Sequence, residues 1–166
     1  MSDSITGNPN RRPQYLVNEK LVDDSMLPHV VQNRGFRFAD GFFETIRVAH
    51  GKPQHLPLHF NRIIKSLDAH HIRAAENFNL ESFTSALGRL IHANHLQPGG
   101  RIRVNFIRDG GGRYMPNSNE LLWIAETEPL SKNKFALNDK GIAIDLYPGM
   151  KKPITPLANF KNIAAS

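Results

Sequence analysis

Residues 38–67, FADGFFETIRVAHGKPQHLPLHFNRIIKSL, join a predicted β-hairpin to a predicted amphipathic helix. In ETIRV, apolar and polar side chains alternate, and His50-Gly51-Lys52 supplies a turn, so residues 43–56 are predicted to form the hairpin. Pro57 can begin the helix, because its missing N–H costs nothing in the first turn. Apolar side chains then recur at helical spacing, at Phe60, Ile63, Ile64 and Leu67.

The sequence on either side extends this pattern into an α+β domain. A second helix is predicted over 79–96, with Asn79 as its N-cap. Further strands are predicted over 14–22 (a pair around Asn18-Glu19), 101–107 and 120–130. Helices grouped beside antiparallel strands predict a small antiparallel-sheet domain with two helices over residues 14–130.

The two ends of the chain have a different character. Residues 1–13 are polar and rich in turn formers, so we expect a disordered leader. After a polar stretch, GIAIDLY (141–147) alternates like a strand, and ANFKNIAAS (158–166) reads as a first helical turn. We therefore expect residues 131–166 to be a linker followed by the truncated start of a second domain.

Composition excludes several classes of function. The 166 residues include no cysteine, which excludes disulfides, thiolate zinc sites and cysteine nucleophiles. No stretch approaches the roughly 20 apolar residues that span a membrane, and no secretory signal is present, so we expect a cytoplasmic protein with no membrane partner. The net charge is +6, but the basic residues are scattered, so we expect no nucleic-acid partner. The eight histidines show no ligand pattern, and we expect no metal.

Two basic residues stand out. Lys161 lies among small and apolar neighbours, where burial would lower its pKa and make it a nucleophile or base. It could equally extend its amine to solvent. Arg62 shares one predicted helix face with His59 and Ser66, and its planar guanidinium suits a phosphate. An ordinary exposed helix arginine is the alternative.

Two further stretches could border a polar pocket. RGFRFADGFFETIRV (34–48) places charged residues among phenylalanines; a strand-turn-strand with a tight turn at Asp40-Gly41 and a solvated face is the alternative. In RDGGGRY, Arg108 and Arg113 flank three glycines and could bind a carboxylate. A flexible hairpin loop without a P-loop pattern is the alternative.

Taken in order, FADGFFETIRVAHGKPQHLPLHFNRIIKSL, RVNFIRDGGGRYMP and PLANFKNIAAS resemble the N-terminal half of the class IV aminotransferases. These are pyridoxal phosphate (PLP) enzymes of fold type IV, similar to D-amino-acid aminotransferase, and the resemblance covers nearly all of residues 15–166. It implies a small N-terminal domain followed by a larger, α/β-barrel-like domain, with the cofactor between them.

The resemblance also implies roles for individual residues. Lys161 lies where the family has its Schiff-base lysine, and the freed amine would be the general base for the Cα proton. Arg62 matches the arginine that holds the cofactor phosphate, and Arg113 lies where some members bind the substrate carboxylate. The other expected substrate-binding positions are Arg108, Phe38 and Glu44.

Within the family, FADGFFET and RDGGGRY look closest to the aminodeoxychorismate lyase subgroup, which forms 4-aminobenzoate and pyruvate for folate. Branched-chain and D-amino-acid transaminases are the alternatives. A non-catalytic α+β module that binds anionic partners is the alternative of another class. The resemblance further implies an amino-acid-like substrate and a homodimer. We expect this chain alone to lack a complete active site.

Overall fold

The computed structural model describes residues 12–26, 33–130, 139–146, 148–149 and 155–163. The strands are β1 (Tyr15–Val17), β2 (Lys20–Val22), β3 (Gly41–Ala49), β4 (Lys52–Pro53), β5 (Gly100–Arg108) and β6 (Leu121–Pro129). The helices are α1 (Arg34–Phe38), α2 (Leu56–Ala69) and α3 (Leu80–Ala93), with a 3₁₀ turn at Asp24–Met26. The six strands form an antiparallel sheet in the order β2-β1-β6-β5-β3-β4.

One face of the sheet packs against α2 and α3 and holds the core. Alternate residues of β3 and β5 are buried on this face, as their period-two pattern predicts. Phe83 of α3 lies at the centre, fully buried, with its ring centroid 5.3 Å from that of Trp123 and 6.2 Å from that of Phe106. The predicted α+β class is confirmed.

Most predicted elements are present. The β1–β2 and β3–β4 hairpins form, and His50 and Gly51 take the positive φ values (51° and 71°) that a tight turn needs. Asn79 caps α3 in a capping box, since its side chain accepts from the Ser82 N–H while the Ser82 hydroxyl accepts from the Asn79 N–H.

The interpretation of 34–48 as strand-turn-strand is wrong for its first part, which is the short helix α1. The Asn33 side chain caps α1 by accepting from the Gly35 N–H (2.9 Å). The chain then reverses at Ala39, in the left-handed region (φ 53°), rather than at Asp40-Gly41. Gly35 permits this arrangement, because a Cβ atom there would collide with the Ile107 side chain.

The predicted strand over 141–147 does not form in its described residues, 141–146. The side chains of Ile142 and Ile144 are 79% and 92% exposed, and no described strand pairs with them. Alternation predicts a strand only where a neighbouring strand can accept its hydrogen bonds. Of the predicted helical turn at 158–166, the described residues show a hydrogen-bonded turn up to Phe160 but no helix, and Asn162 instead forms a β-bridge with Phe42.

Two other predicted segments lie largely or partly outside the described residues. Most of the predicted leader and linker, residues 1–11 and 131–138, lies outside them. Among the described helices, none has the length and apolar character to cross a membrane.

Candidate active site

Glu44 is a buried carboxylate at the centre of a polar cluster. The alternation of β3 places it on the core face between Phe42 and Ile46, and the residue is only 1% exposed. Two side chains from α2 reach it: Arg62 donates from Nε to Oε1 and from Nη2 to Oε2 (2.6 Å), and His59 Nδ1 lies 2.9 Å from Oε2. The buried charge is therefore paired on both oxygens, as a carboxylate in an apolar setting requires.

The electrostatics of this cluster keep Glu44 ionised. Burial alone would raise its pKa, but hydrogen bonds from Arg62 and His59 and the positive charges of Arg62 and Lys161 outweigh burial and bring the pKa to about 2. In turn, the hydrogen bond to Glu44 raises the pKa of Arg62. The pair stays charged over the whole physiological range.

The pairing also fixes how Arg62 is presented. Glu44 takes the Nε side of the guanidinium, and within the described residues Nη1 makes no hydrogen bond. The Arg62 side chain is 43% exposed, so this free corner faces solvent. A guanidinium held from one side with two donors open on the other is suited to an anionic group such as a phosphate.

Lys161 is attached to the same strand by backbone hydrogen bonds. Phe43 N–H donates to Lys161 O (2.9 Å), and Ile163 N–H donates to Gly41 O (3.1 Å). Residues 161–163 thus extend the sheet beside the first residues of β3. Asn162 strengthens the attachment, since its Oδ1 is hydrogen-bonded to His70 Nε2 (2.8 Å).

The amine of Lys161 lies 5.8 Å from the centroid of the Phe43 ring, and its charge is close enough to lower the pKa of Glu44. The residue is exposed in this chain, so the sheltered position that its apolar neighbours suggest is not present in the described residues. The residues next to Lys161 attach the segment to β3, and the Lys161 side chain remains exposed.

The structure places the other expected residues apart from this cluster. Arg108 directs its donors to the protein, to Asp40 (3.1 Å) and to the carbonyl of His70 (2.7 Å) among others. Arg113 is exposed on the glycine-rich loop. Phe38 is 51% exposed at the end of α1, beneath the guanidinium of Arg34 at 5.2 Å.

His59, Arg34 and Asp40 contribute contacts whose partners the sequence does not predict. The helix face that His59 shares with Arg62 is recognised from sequence, but its pairing with Glu44 is not. Arg34 and Asp40 meet because α1 folds back, and α1 is the element that sequence patterning misses.

Two of the cavities at the surface of the described residues are compared with the Glu44 cluster. A cavity of about 250 Å³ adjoins residues 155–163, which we call the lysine segment. It is lined mostly by apolar side chains, including those of Ile107, Ile124 and Ile163. A larger one, about 490 Å³, lies beside the β1–β2 hairpin at Phe78 and Trp123 and shares no residue with the Glu44 cluster. Among the residues that the structure describes, no group of three or more histidine or acidic side chains could hold a metal ion.

Comparison with curated proteins gives D-alanine aminotransferases. The chain is 30% identical to a D-alanine aminotransferase of Staphylococcus haemolyticus over 87 residues, which is 52% of this chain and 30% of that enzyme. The chain therefore spans well under half the length of this relative.

Solved structures share the fold. A branched-chain aminotransferase of Thermoproteus uzoniensis superposes with a TM-score of 0.63 at 16% identity, over 74% of this chain and 42% of that one. A 4-amino-4-deoxychorismate lyase of Pseudomonas aeruginosa gives 0.53 at 22% identity, over 69% and 39%. The sequence profile of the family described as amino-transferase class IV matches residues 41–162. A match over so much of the chain shows that this protein belongs to the class IV aminotransferases, a family whose enzymes use PLP.

Proposed function

We propose that the protein is a PLP-dependent enzyme that acts on an amino acid or a related amino-carboxylate. The observation that carries the proposal is the convergence at Phe43 and Glu44 of β3. Phe43 holds the backbone of Lys161, and the neighbouring Glu44 holds Arg62 with its Nη1 corner free. An accessible amine can react with an aldehyde, and an oriented guanidinium can bind the phosphate that the same molecule carries.

The residues present fit PLP. Arg62 would bind its phosphate through the Nη1 corner, since Glu44 occupies the other side. Lys161 would hold the aldehyde carbon through its amine. When bound, PLP acts as an electron sink that makes the substrate Cα–H bond easier to break. The protein then has to bind, orient and move a proton.

We assign the proton transfer to Lys161. Its free amine would accept the proton from the substrate Cα and, in the lyase reaction, would give a proton to the methylene carbon of the departing enolpyruvate group, which becomes pyruvate. The backbone bond from Phe43 to Lys161 O keeps the lysine segment fixed while the side chain moves. Glu44 acts indirectly in this scheme, because it orients Arg62 and does not reach the substrate.

For the substrate, we propose Arg113 as the group that binds a carboxylate and the 250 Å³ cavity as the site for an apolar side chain or ring. Arg113 is exposed, as a residue that meets a diffusing ligand must be. Phe38, half exposed beside Arg34, would border the same region.

Within the family, we propose the aminodeoxychorismate-lyase-like activity, on the support of the FADGFFET and RDGGGRY sequences. Transamination of D-amino acids is the second candidate, and the 30% identity to a D-alanine aminotransferase favours it. Met115 favours the lyase-like activity, because it occupies the position at which the D-amino-acid enzyme has the histidine of its carboxylate-binding R-x-H. Branched-chain transamination has only the shared fold in its favour.

The test is an activity assay with PLP on this chain and on the longest protein that its coding sequence yields. Three reactions are compared: pyruvate and 4-aminobenzoate release from aminodeoxychorismate, and amino transfer to 2-oxoglutarate from D-alanine and from L-leucine. We expect the first reaction to be fastest, to be abolished in K161A and to be retained in K65A, which alters an exposed lysine of α2. Activity that survives in K161A would contradict the proposal.

Homodimer formation and a cytoplasmic location are further proposals that rest on the family. The rival proposal, a non-catalytic module for anionic partners, predicts salt-dependent binding of polyanions and no dependence on Lys161. A mobility shift with a DNA oligonucleotide at two salt concentrations distinguishes it from the enzyme.

A further inference from the structure

Outside the Glu44 cluster, the chain contains a second buried ionic group. Arg34 is only 7% exposed and donates from Nε to Asp40 Oδ2 (2.9 Å). Arg108 donates from its own Nε to the same oxygen (3.1 Å). Two guanidinium groups therefore share one carboxylate, and the remaining positive charge has to be stabilised by other acceptors.

Backbone carbonyls from two loops provide those acceptors. Arg34 Nη1 donates to the carbonyls of Gly112 (2.8 Å) and Arg113 (3.0 Å). Arg108 Nη2 donates to His70 O (2.7 Å) and Nη1 to His71 O (3.1 Å). Asp40 thus connects the end of α2, at His70, to the glycine loop, which we define as residues 109–119.

A second contact ties α1 to the glycine loop. Asn33, which caps α1, donates from Nδ2 to Asp109 Oδ1 (3.1 Å) at the start of the loop. Gly112 has a φ of 89°, and a Cβ atom there would collide with Met115 O, so the loop path depends on glycine. Besides the bonds between Gly111 and Asn117 within the loop, its contacts to α1 and to Arg108 hold this path in place.

We propose that Arg34 is a positioning residue that fixes the glycine loop through the carbonyls of Gly112 and Arg113, and so orients the side chain of Arg113 for its ligand. Asp40 and Arg108 hold Arg34 in place. The role of Arg113 as a carboxylate ligand rests on the proposed function, whereas the attachment of the loop rests only on these contacts. Arg108 accordingly acts through the loop and does not touch the substrate.

The expected effect follows from the hydrogen bonds lost. Two charge-assisted bonds join Arg34 to the loop carbonyls, and such bonds contribute enough to change a local opening equilibrium by about tenfold to a hundredfold. Lysine in place of Arg34 keeps a charge for Asp40, but its single ammonium cannot reach all three acceptors in the guanidinium geometry. It should therefore restore the loop only in part.

The experiment compares R34M, R34K and D40N with the unmodified chain. The control is R73M, which removes an exposed arginine paired with Glu120 (2.6 Å) at the base of the same loop. Hydrogen exchange of the Gly111 and Asn117 amides, which are bonded within the loop, reports its order. The rate of trypsin cleavage after Arg113 reports access to its backbone.

We expect exchange and cleavage to rise about tenfold or more in R34M and D40N, less in R34K, and not at all in R73M. Wild-type loop exchange in R34K, or in R34M that keeps its near-ultraviolet circular dichroism, would overturn the proposal. If R34M does not fold, R34K decides the question.

A kinetic arm tests the orientation of Arg113. In the active protein, R34K should raise the KM for the carboxylate substrate about tenfold with little change in kcat, because Arg34 contacts neither the cofactor nor the substrate. A fall in kcat with unchanged KM would overturn this part. If the longest protein that the coding sequence yields shows no activity, the proposed function fails, while the exchange and cleavage results still test the attachment of the loop.

Discussion

The candidate site depends most on Glu44. Burial disfavours the charged form of this carboxylate, whereas its contact with Arg62 requires that form. A carboxylate at 1% exposure is unfavourable unless it is paired, and Arg62 and His59 supply the pairing. The same pairing holds Arg62 with Nη1 free. The residue that stabilises the site is therefore also the one that orients Arg62, the proposed anion-binding group.

The depressed pKa of Glu44 predicts a pH dependence of stability. The folded-state pKa of about 2 lies below the usual 4.5, so the contribution is complete above pH 4.5 and is lost as the pH falls towards 2. Between pH 4.5 and 2, the free energy of unfolding should fall by about 2 to 3 kcal/mol less in E44Q than in the unmodified chain. Urea unfolding at several pH values measures it.

The control is E128Q, which removes an exposed carboxylate paired with Arg101 at 2.5 Å. An exposed ion pair contributes little, so its pH profile should follow that of the unmodified chain. If E44Q and the unmodified chain lose stability in parallel between pH 4.5 and 2, the ion pair does not hold Glu44 as described.

At this scale, sequence identifies residue types better than partners. Local pattern alone leaves Lys161 and Arg62 with ordinary alternatives, and it is the resemblance to the class IV aminotransferases that selects both residues. Lys161 comes close to the Glu44–Arg62 pair through the β-bridge of Asn162 with Phe42, a long-range contact that no local pattern encodes. Arg34 and Asp40 are only 6 residues apart, and they meet because α1 folds back, which no local pattern indicates.

Among the elements, the lysine segment, residues 155–163, depends on side-chain bonds as well as on its short pairing with β3. Asn162 Nδ2 donates to Leu157 O (2.9 Å), and Oδ1 is bonded to His70 Nε2 (2.8 Å). His70 also lies between the rings of Phe42 and Phe160, with centroids at 5.2 and 6.0 Å. Asn162 is thus the link between α2 and the segment that carries the lysine.

We expect N162A to release this segment, because the two bonds lost are each worth about 1 kcal/mol. Exchange of the Phe43 and Ile163 amides, which pair β3 with the segment, should become about tenfold faster. The control is N61A, an exposed position of α2, where exchange should not change. Unchanged exchange in N162A would show that backbone pairing alone holds the lysine.

The success of prediction differs between elements for a physical reason. Hairpins and α3 are recognisable because their signals are local: alternation, a turn at His50-Gly51 and an N-cap at Asn79. The short helix α1 forms because Gly35 can pack on Ile107, which is a tertiary cause. Residues 141–146 have the pattern of a strand but lack a described neighbour to pair with.

For the whole molecule, the aromatic cluster around Phe83 gives the core its stability. Phe83 is fully buried, and its ring lies 5.7 Å from that of Phe78 and 5.8 Å from that of Phe60. These rings join both long helices to the sheet. The core therefore holds α2, and with it His59 and Arg62, against β3.

We expect F83L to lower the free energy of unfolding by about 1 to 2 kcal/mol, because leucine leaves part of the ring volume empty. F36L, at a phenylalanine that is 71% exposed on α1, should change it by less than about 0.5 kcal/mol. Urea unfolding measures both. Equal effects at the two positions would contradict a core centred on Phe83.

The fold class could be predicted from sequence because it depends on the period of the apolar pattern, which the chain repeats in each strand and helix. The specific activity could not, because related folds carry different reactions and differ in a few side chains. The match to a D-alanine aminotransferase covers only 30% of that enzyme, so it does not decide the choice.

The assignment of Lys161 and Arg62 to one cofactor site can be tested directly. The experiment maps which lysines of the purified chain react with PLP and which react with pyridoxal, after each adduct is reduced with borohydride. Pyridoxal lacks the phosphate, so the difference between the two reports Arg62. We expect PLP to label Lys161 faster than Lys65 or Lys20, and R62M to bring labelling by PLP down to the pyridoxal rate. R89M, which removes an exposed arginine of α3, should leave it unchanged. Equal labelling of all three lysines, or preference for PLP at Lys161 that persists in R62M, would contradict the assignment of Lys161 and Arg62 to one cofactor site.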